Sequence, residues 1–415
     1  MPTYAFFAPP FLGHLNPMAA LARTLSARAS RAVFLASPDA AARIRGMGLD
    51  ALAVGGADGG PDLSAVERRM ARPGGPWGVR ATVRDMAAST DGLCRHAPDA
   101  LRELAPAALV CDQLEPAGGL LARRLGLPLV SVANALPVNE EPDVPPPYVG
   151  WPYDPTQAGR RRNEGGRRVS AWLMTPLHDV IAGWADAWRL GPLRSVEDCL
   201  SPTAQVAQCV RGLDFPRRAL PPGFAYAGPF RSVGEDGPRL EPDGDGRPLV
   251  YCSLGTLQGS RIGLFREVAA ACAALDLRLV IAHGGRLSDG QVADLPGRPI
   301  AMAYAPQRAI LCRAALAVCH AGFNTVLDAL SFGVPLAVTP LGFEQPGTGA
   351  RLERIGAGIV VRRRWGRFPV RDAIERLLGD DGCRDRARSV AAEIAQAGGV
   401  ELACDIVEGA AAAAS

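Results

Sequence analysis

The chain has 415 residues, of which 48% are hydrophobic and 21% charged, and its formal net charge is +3. This length and composition are typical of a globular protein of two domains and exclude a disordered chain. The small net charge predicts no nucleic-acid partner. All 45 basic residues are arginine, which excludes chemistry that needs a lysine, such as a Schiff base or a Walker-A phosphate loop.

The ten cysteines stand singly, with no Cys-x-x-Cys pair and no cluster of cysteine and histidine. This pattern predicts reduced thiols in a cytoplasmic protein and no metal site. The sequence begins with a strand pattern and not with a basic and then apolar leader, and no apolar run is long enough to span a membrane. We therefore expect a cytosolic protein, for which contact with the inner face of a membrane remains open.

The first half of the chain alternates between short apolar strands and helices. Residues 4–8 predict a first strand and 9–16 the loop after it, while Asn16 and Pro17 predict the start of a helix. Strands that alternate with helices at short spacing indicate a doubly wound parallel sheet. Further strands are predicted at 32–36, 51–54, 108–111 and 129–132.

Three stretches of this half lack a strand pattern. Residues 55–78, rich in Gly and Pro, predict a loop with one short helix, and 134–166 predict a loop because of their Pro, Gly and Arg content. Residues 168–189 predict a helix with an aromatic face, kinked at Pro176. Packing of that face on the sheet is favoured over a ligand-binding wall.

Residues 234–246 carry Gly, Pro and Asp with few apolar groups and mark the best domain boundary. The sequence predicts a first domain at 1–233, a linker at 234–247 and a second doubly wound domain at 248–415. The last helices of the second domain can pack back on the first.

Residues 304–345 carry the most informative pattern of the second domain. An apolar strand at 316–319 is followed by a loop at 320–323 and by a helix that Asn324 or Thr325 can open. A helix that begins after a turn of small residues presents unpaired N–H groups and a positive dipole end. The pattern favours a phosphate at this point, although an ordinary strand–helix–strand unit also fits it.

Three polar residues follow in positions that suit a sugar. Asp328 lies one helical turn after Asn324, where a carboxylate accepts hydrogen bonds from hydroxyls but repels a phosphate. Glu344 and Gln345 follow the strand predicted at 336–338 and offer both donors and acceptors. Together these residues predict a ribose beside a pyrophosphate and a second polyhydroxylated ring.

The segment as a whole resembles the nucleotide-sugar signature of the family 1 glycosyltransferases. That signature runs in the order aromatic, Pro-Gln, His, Gly, Asn-Thr/Ser, acidic, Gly-Val-Pro, Pro and acidic-Gln. Plant members have Trp at the position of Tyr304 and usually Glu at that of Asp328, which implies weaker base stacking and a shorter reach to ribose here. The matching positions are Tyr304, Pro306, Gln307, His320, Gly322, Asn324, Thr325, Asp328, Gly333, Val334, Pro335, Pro340, Glu344 and Gln345.

The resemblance implies the α/β fold called GT-B, in which two Rossmann-like domains face each other across a cleft, and a nucleotide sugar as co-substrate without cofactor or metal. The segment Ser253-Leu254-Gly255-Thr256, weak by itself, is similar to the family's SLGS or SLGT beside the diphosphate. The implied contacts are Tyr304 and Gln307 to the base, Asp328 to the ribose, Ser253, Gly255, Thr256, His320, Gly322, Asn324 and Thr325 to the diphosphate, and Glu344 and Gln345 to the sugar.

His14 and Asp112 are the candidate catalytic residues. His14 lies in the predicted loop after the first strand, where a neutral imidazole suits proton removal from an alcohol, although an exposed loop histidine is the plain alternative. The passage PPFLGHLNP resembles the amino-terminal motif of the same family, whose histidine is the general base. Asp112 ends another strand at the same sheet edge, and the resemblance implies a His14–Asp112 dyad, although an aspartate before a helix is otherwise commonly a cap.

Several passages outside the shared signature resemble the zeaxanthin glucosyltransferases of bacterial carotenoid pathways, among them FFAPPFLGH, DQLEPA and ALPVNEEPDVPPP. This resemblance implies transfer of glucose from UDP-glucose, with inversion, to an apolar acceptor, a carotenoid diol that accepts one and then a second glucose. It also implies an apolar tunnel roofed by residues 137–153 and by the helix 172–188, open toward a membrane.

Three other functions fit parts of the same pattern. A macrolide-type natural-product glycosyltransferase with a UDP- or dTDP-sugar shares every motif, a sugar-nucleotide 2-epimerase shares the two-domain fold, and an inactive partner protein would bind the donor alone. The epimerase has no need for a base placed against an acceptor hydroxyl. An acceptor assay therefore separates these functions.

Overall fold

The computed structural model contains two parallel α/β sheets that face each other across a cavity. The order of the strands is β3-β2-β1-β4-β5-β6-β7 in the first sheet and β10-β9-β8-β11-β12-β13 in the second. Each pair of neighbouring strands is parallel, which fits the predicted α/β class and the GT-B arrangement of two doubly wound units. The structure describes residues 1–55, 62–71, 75–231, 246–363, 366 and 368–413.

The first sheet and its helices occupy the first half of the chain. The strands are β1 (Thr3–Phe7), β2 (Arg31–Ala36), β3 (Ala51–Ala53), β4 (Ala108–Asp112), β5 (Leu129–Ala133), β6 (Gln205–Ala207) and β7 (Phe224–Tyr226). The helices are α1 (Leu12–Ala27), α2 (Pro38–Gly46), α3 (Leu63–Ala71), α4 (Gly75–Leu104), α5 (Ala117–Leu125) and α6 (Gln157–Trp188).

The second sheet and its helices occupy the second half. The strands are β8 (Leu249–Ser253), β9 (Arg278–Ala282), β10 (Ile300–Met302), β11 (Leu316–Cys319), β12 (Leu336–Val338) and β13 (Gly358–Val360). The helices are α7 (Gly255–Gln258), α8 (Ile262–Ala274), α9 (Asp289–Ala293), α10 (Gln307–Leu311), α11 (Phe323–Ser331), α12 (Gln345–Ile355), α13 (Val370–Leu378), α14 (Asp381–Gln396) and α15 (Gly399–Ala412).

Helix α1 begins earlier than the sequence predicts, at Leu12, so His14 lies in its first turn and not in a loop. The main-chain N–H of His14 donates to the carbonyl of Phe11 over 2.8 Å, which starts the helix. Pro17 lies inside the helix and has no N–H to donate to the carbonyl of Gly13. That carbonyl is therefore available to a partner outside the helix.

Helix α6 also begins earlier than predicted, because residues 157–166 are helical and not a loop. The Thr156 side chain accepts from the N–H of Gly159 and caps the helix. A Cβ atom at Gly159 would lie 2.1 Å from the Asp154 carbonyl oxygen, and one at Gly166 would lie 2.8 Å from the Trp151 ring. These glycines permit close packing at the start of α6, whereas the Gly content of the segment predicts a loop.

The loop predicted at 55–78 contains α3, and residues 56–61 and 72–74 of it lie outside the described residues. Residues 234–245 of the predicted linker at 234–247 also lie outside the described residues. Among the described residues, no helix is both long and apolar enough to cross a membrane.

The two halves share a core and a buried ion cluster. One hydrophobic cluster joins Val210 and Leu213 of the first half to Leu330 and Val390 of the second. Beside it the Arg351 guanidinium donates to the Asp214 carboxylate over 2.7 Å, and both side chains are fully buried. Arg217 donates to the same carboxylate over 3.0 Å.

The carboxyl-terminal helix returns to the first sheet. Val400, Ala403 and Val407 of α15 lie in the same core as Leu21 and Leu25 of α1. The chain thus ends against the domain in which it begins.

Candidate active site

One cavity of about 1620 Å³ lies between the carboxyl ends of the two sheets. It is lined by residues of both halves, from the first turn of α1 to the first turn of α12. Small-molecule pockets commonly measure about 300–1,000 Å³. This cavity therefore has room for two substrates at once.

His14 and Asp112 meet in this cavity, as the family resemblance implies. The Nδ1 atom of His14 lies 2.7 Å from Oδ2 of Asp112, which is buried behind it, while the imidazole itself lines the cavity. The Asn134 amide donates to the same Oδ2 over 2.7 Å, and the Leu114 N–H donates to Oδ1 over 2.8 Å. The carboxylate is thereby fixed, and it in turn fixes the imidazole with Nε2 as the remaining nitrogen.

The surroundings of His14 favour its protonation. Burial opposes a charge on the ring, but the charge of Asp112 and its hydrogen bond, together with the charge of Glu344, raise the pKa of His14 above its ordinary value. A base with a raised pKa holds a proton more strongly once it has taken one. The pair thus has the geometry and the electrostatics of a general base with its orienting carboxylate.

On the opposite wall, His320 is held between two glycines at the ends of β8 and β11. A Cβ atom at Gly322 would lie 2.4 Å from Cε1 of His320, and one at Gly255 would lie 2.8 Å from it. Any larger residue at either position would push the ring away. The glycines of the signature therefore fix the imidazole.

His320 differs from His14 in its charge. Burial lowers the pKa of His320 to about 4, so the ring is neutral at physiological pH. Its buried Nδ1 atom has no hydrogen-bond partner within the described residues. A neutral imidazole has one ring N–H to donate and brings no positive charge of its own.

Two non-glycine residues in the loops at this wall have a left-handed backbone conformation. Ala321, after β11, has φ 65°, and Phe343, after β12, has φ 54°. Non-glycine residues adopt this conformation at an energetic cost, and they concentrate at functional sites. After the first of these loops, Asn324 and Thr325 stand in the first turn of α11 with their N–H groups at the positive end of the helix.

Asn324 joins the two halves of the molecule. Its amide nitrogen donates to the free Gly13 carbonyl over 2.8 Å, and its amide oxygen accepts from Gln208 over 2.8 Å. The side chain is thus engaged by the protein next to His14, where the resemblance implies a diphosphate contact. Its position in the cavity wall leaves its main-chain N–H as the group that suits a phosphate.

Asp328 does not line the cavity, unlike the other residues of the implied donor set. It is 5% exposed, and its carboxylate accepts from Arg231 over 2.7 Å and from Gln307 over 2.6 Å. Arg308 adds a third contact of 3.4 Å. In this structure the Asp328 carboxylate therefore holds Arg231, Gln307 and Arg308 together behind the cavity wall. The implied ribose contact would require these partners to move.

Gln307 is turned toward the same network. Its amide oxygen accepts from the hydroxyl of Tyr251 over 3.1 Å and from that of Thr325 over 3.3 Å. Gln307 nevertheless lines the cavity, as does Tyr304, whose side chain is 72% exposed. An exposed aromatic ring at the rim suits the predicted stacking on a base, and this role stays a prediction.

Four further residues of the implied donor set line the cavity: Ser253, Thr256, Glu344 and Gln345. The Gln345 amide oxygen accepts from the N–H groups of Leu341 and Gly342 over 2.8 and 3.0 Å, so it also holds the loop. Burial raises the pKa of Glu344, with its own main chain and His14 acting in the opposite direction. The charge of Glu344, in the second domain, therefore acts on the pKa of His14 in the first.

Two further residues at the site, Asn134 and Glu115, carry no sequence signal used above. Asn134 follows β5 at the same sheet edge as Asp112, so the rule that identified Asp112 would also have identified Asn134. Glu115 lines the cavity, accepts from Thr90 over 2.9 Å, and burial raises its pKa to about 7. No sequence pattern marks such a carboxyl, because its burial depends on the packing of α4 against α5.

Known proteins that are similar to this chain identify both its family and its fold. Residues 266–408 match the family described as "Erythromycin biosynthesis protein CIII-like, C-terminal domain". The chain is 37% identical to a zeaxanthin glucosyltransferase of Pantoea ananas, over 98% of this chain and 96% of the relative. It is 35% identical to that of Pseudescherichia vulneris, over 98% of both chains.

Among solved structures, the calicheamicin glycosyltransferase CalG4 superimposes with a TM-score of 0.78 at 22% identity, covering 100% of this chain and 99% of that one. The glycosyltransferase VinC in complex with dTDP has a TM-score of 0.69 at 20% identity, with 99% and 100% covered. The facing parallel sheets thus form the GT-B fold, and the two full-length relatives show that the chain is a glycosyltransferase of that class. The two full-length relatives then settle the assignment, and the chain belongs to the family of the zeaxanthin glucosyltransferases.

Proposed function

We propose that the protein transfers glucose from UDP-glucose to a hydroxyl group of zeaxanthin, with inversion at the anomeric carbon. The observation that carries this proposal is the single cavity in which the His14–Asp112 pair faces the wall of His320, Gly322 and Glu344. The full-length relatives named as zeaxanthin glucosyltransferases support both the sugar and the acceptor.

The lining of the first half of the cavity supports an apolar acceptor. Val83 and Met86 of α4, Leu173 and Met174 of α6, and Val138 of the Pro-rich segment all line it. The neutral form of Glu115, favoured by its raised pKa, adds a polar group without a full charge. A long polyene with a hydroxyl at its end suits such a wall because its apolar body leaves water while its polar end reaches His14.

The proposed reaction forms one bond and breaks one. Nε2 of His14 takes the proton of the acceptor hydroxyl, whose oxygen forms a bond to the anomeric carbon as the bond from that carbon to the diphosphate oxygen breaks. Asp112 stabilises the imidazolium that results. Because acceptor and diphosphate lie on opposite walls, the attack comes from the face opposite the leaving group, and an α-linked donor yields a β-glucoside.

Charge that develops on the leaving diphosphate requires hydrogen-bond donors. The first turn of α11, the N–H of the neutral His320 and the Thr256 hydroxyl supply them at the second wall. No group of His, Cys, Asp or Glu within the described ranges is arranged to hold a metal ion. In the proposal, dipoles of this chain supply the stabilisation.

The test uses the purified protein with UDP-glucose and zeaxanthin in detergent, with products identified by mass spectrometry and the anomer by NMR. We expect a monoglucoside, then a diglucoside, both β-linked. A parallel reaction with dTDP-glucose measures donor preference, since VinC was solved with dTDP. Absence of any glucoside contradicts the proposed acceptor, and UDP-glucose consumption without an acceptor favours the epimerase.

A further inference from the structure

An exposed aromatic and basic surface lies on α4 and α6 beside the cavity. It consists of Trp77 and Arg84 on α4 and of Arg161, Val169 and Trp172 on α6, and we refer to it as the tryptophan face. Trp77 is 71% exposed, Val169 60% and Trp172 45%. Large apolar side chains grouped at such exposure mark an interaction surface.

The spacing of these residues places them on one side of each helix. On α6, positions 161, 165, 168, 169 and 172 follow the period of a single helical stripe, and each is exposed. The indole rings of Trp77 and Trp172 make an edge contact, with centroids 5.6 Å apart. The guanidinium of Arg80 lies 5.3 Å from the Trp172 ring centroid, which ties α4 to α6 at this point.

The three consecutive arginines of α6, residues 160–162, do not all lie on the same side of the helix. Arg160 donates to Asp143, and Arg162 donates to the Pro152 carbonyl, so both face the Pro-rich segment. Arg161 is exposed on the tryptophan face, together with Arg84 of α4. The face therefore combines amphipathic aromatic rings with positive charge.

The opposite sides of the same helices form the apolar wall of the cavity. Val79 and Val83 of α4 and Leu173 and Met174 of α6 line it, within a few residues of Trp77 and Trp172. Whatever covers the tryptophan face thus lies next to the entrance of the apolar half of the cavity.

We propose that the tryptophan face docks on an anionic lipid bilayer, from which the apolar acceptor enters the cavity directly. Indole rings favour the interface between headgroups and acyl chains, and arginines near an anionic surface are attracted to it. A surface of two tryptophans, a valine and flanking arginines matches both zones. The inference rests on the proposed function for the apolar acceptor, while the docking itself requires no reaction.

The first experiment measures sedimentation of the full chain with vesicles of phosphatidylcholine, with and without phosphatidylglycerol. We expect binding that depends on phosphatidylglycerol. The variant Arg84→Gln/Arg161→Gln should weaken it about 25-fold, at about fivefold for each arginine. The matched control Arg371→Gln/Arg388→Gln removes two exposed arginines of α13 and α14 and should leave it unchanged.

The second experiment separates docking from catalysis with the variant Trp77→Ser/Trp172→Ser, whose two side chains do not line the cavity. We expect at least a tenfold loss of transfer to zeaxanthin embedded in anionic vesicles, with transfer in detergent unchanged. If the wild type glucosylates no zeaxanthin in detergent, the proposed function is wrong, and the vesicle binding still decides on the docking.

Three results would overturn the docking proposal. The first is equal vesicle binding by the wild type and both variants, and the second is no binding of the wild type to anionic vesicles. The third is a dimer that the tryptophan substitutions dissociate, since the face would then be an interface between two copies of this chain.

Discussion

Two histidines face the same cavity and differ in what lies behind them. His14 has the Asp112 carboxylate 2.7 Å away, which outweighs burial and raises its pKa. His320 lies between Gly255 and Gly322 without a carboxylate, and burial lowers its pKa to about 4. The Asp112 carboxylate therefore distinguishes His14, whose pKa is raised, from His320, which is neutral at physiological pH.

In the proposed reaction, this difference suits the two walls to separate tasks. The first wall would accept a proton, which requires a group whose charge can change. The second wall would hold an anionic substrate, and the fixed dipoles of α11 with a neutral N–H donor suit such a substrate at any physiological pH.

Substitution of His14 removes the proposed base. We expect His14→Ala to lower kcat by about 10²- to 10⁴-fold, the usual contribution of general-base catalysis. Donor affinity, measured by calorimetry with UDP, should change little because the second wall is intact. Activity above roughly a hundredth of the wild type would remove His14 from the base role.

The two halves of the molecule that carry these walls are joined by the buried Arg351–Asp214 pair. Burial by itself raises the pKa of Asp214, but Arg351 and Arg217 outweigh it and hold the pKa at about 2. Arg351→Ala leaves a buried carboxylate with one arginine, and we expect a loss of about 3–5 kcal/mol in the free energy of unfolding. Urea denaturation measures this loss.

The control for this substitution is Arg362→Ala, which breaks an exposed pair with Glu353 and should cost about 1 kcal/mol or less. Because the Asp214 pKa is depressed, its contribution to stability is complete above the ordinary carboxyl pKa and is lost as the pH falls toward 2. Equal losses in the two variants would contradict the importance of the buried pair.

Asp112→Asn should lower the pKa of His14, so that its charge state becomes more like that of His320. The wild-type kcat/KM should fall as the pH drops through a pKa above that of an ordinary histidine, since only the neutral ring accepts a proton. Without the carboxylate, burial dominates, and we expect this acidic limb to move about 1–3 pH units lower, with a reduced maximum. An unmoved limb would show that another group titrates.

Gly322→Ala should disturb His320 without touching His14. The added methyl group would lie 2.4 Å from Cε1 of the ring. The displaced ring would lose its proposed hydrogen bond to the charged diphosphate, worth about 1.5–3 kcal/mol, which corresponds to donor affinity about 10- to 150-fold weaker. Gly263→Ala is the matched control, because no atom lies within 4 Å of its added carbon. Unchanged UDP affinity in Gly322→Ala would exclude His320 from the donor site.

The local patterns of the sequence predicted two parallel sheets and a set of donor-site residues that, apart from Asp328, line the cavity, but they did not predict strands β6 and β7 of the first sheet. These predictions follow from apolar strands and from the rule that polar groups after parallel strands share one edge. Local patterns did not predict the helical start of α6. Gly159 and Gly166 permit close packing there only because Asp154 and Trp151 approach them in the folded protein.

The tertiary structure decided which groups meet and in what state of charge. The sequence placed His14 and Asp112 at one edge, but their distance and the pKa of His14 depend on the packing of α1 against β4. The ribose contact of Asp328 stays a prediction, and no sequence pattern indicated that Arg231 and Gln307 reach its carboxylate from other segments. Hydrogen bonds and burial join residues far apart in the chain, and one chain segment by itself cannot specify them.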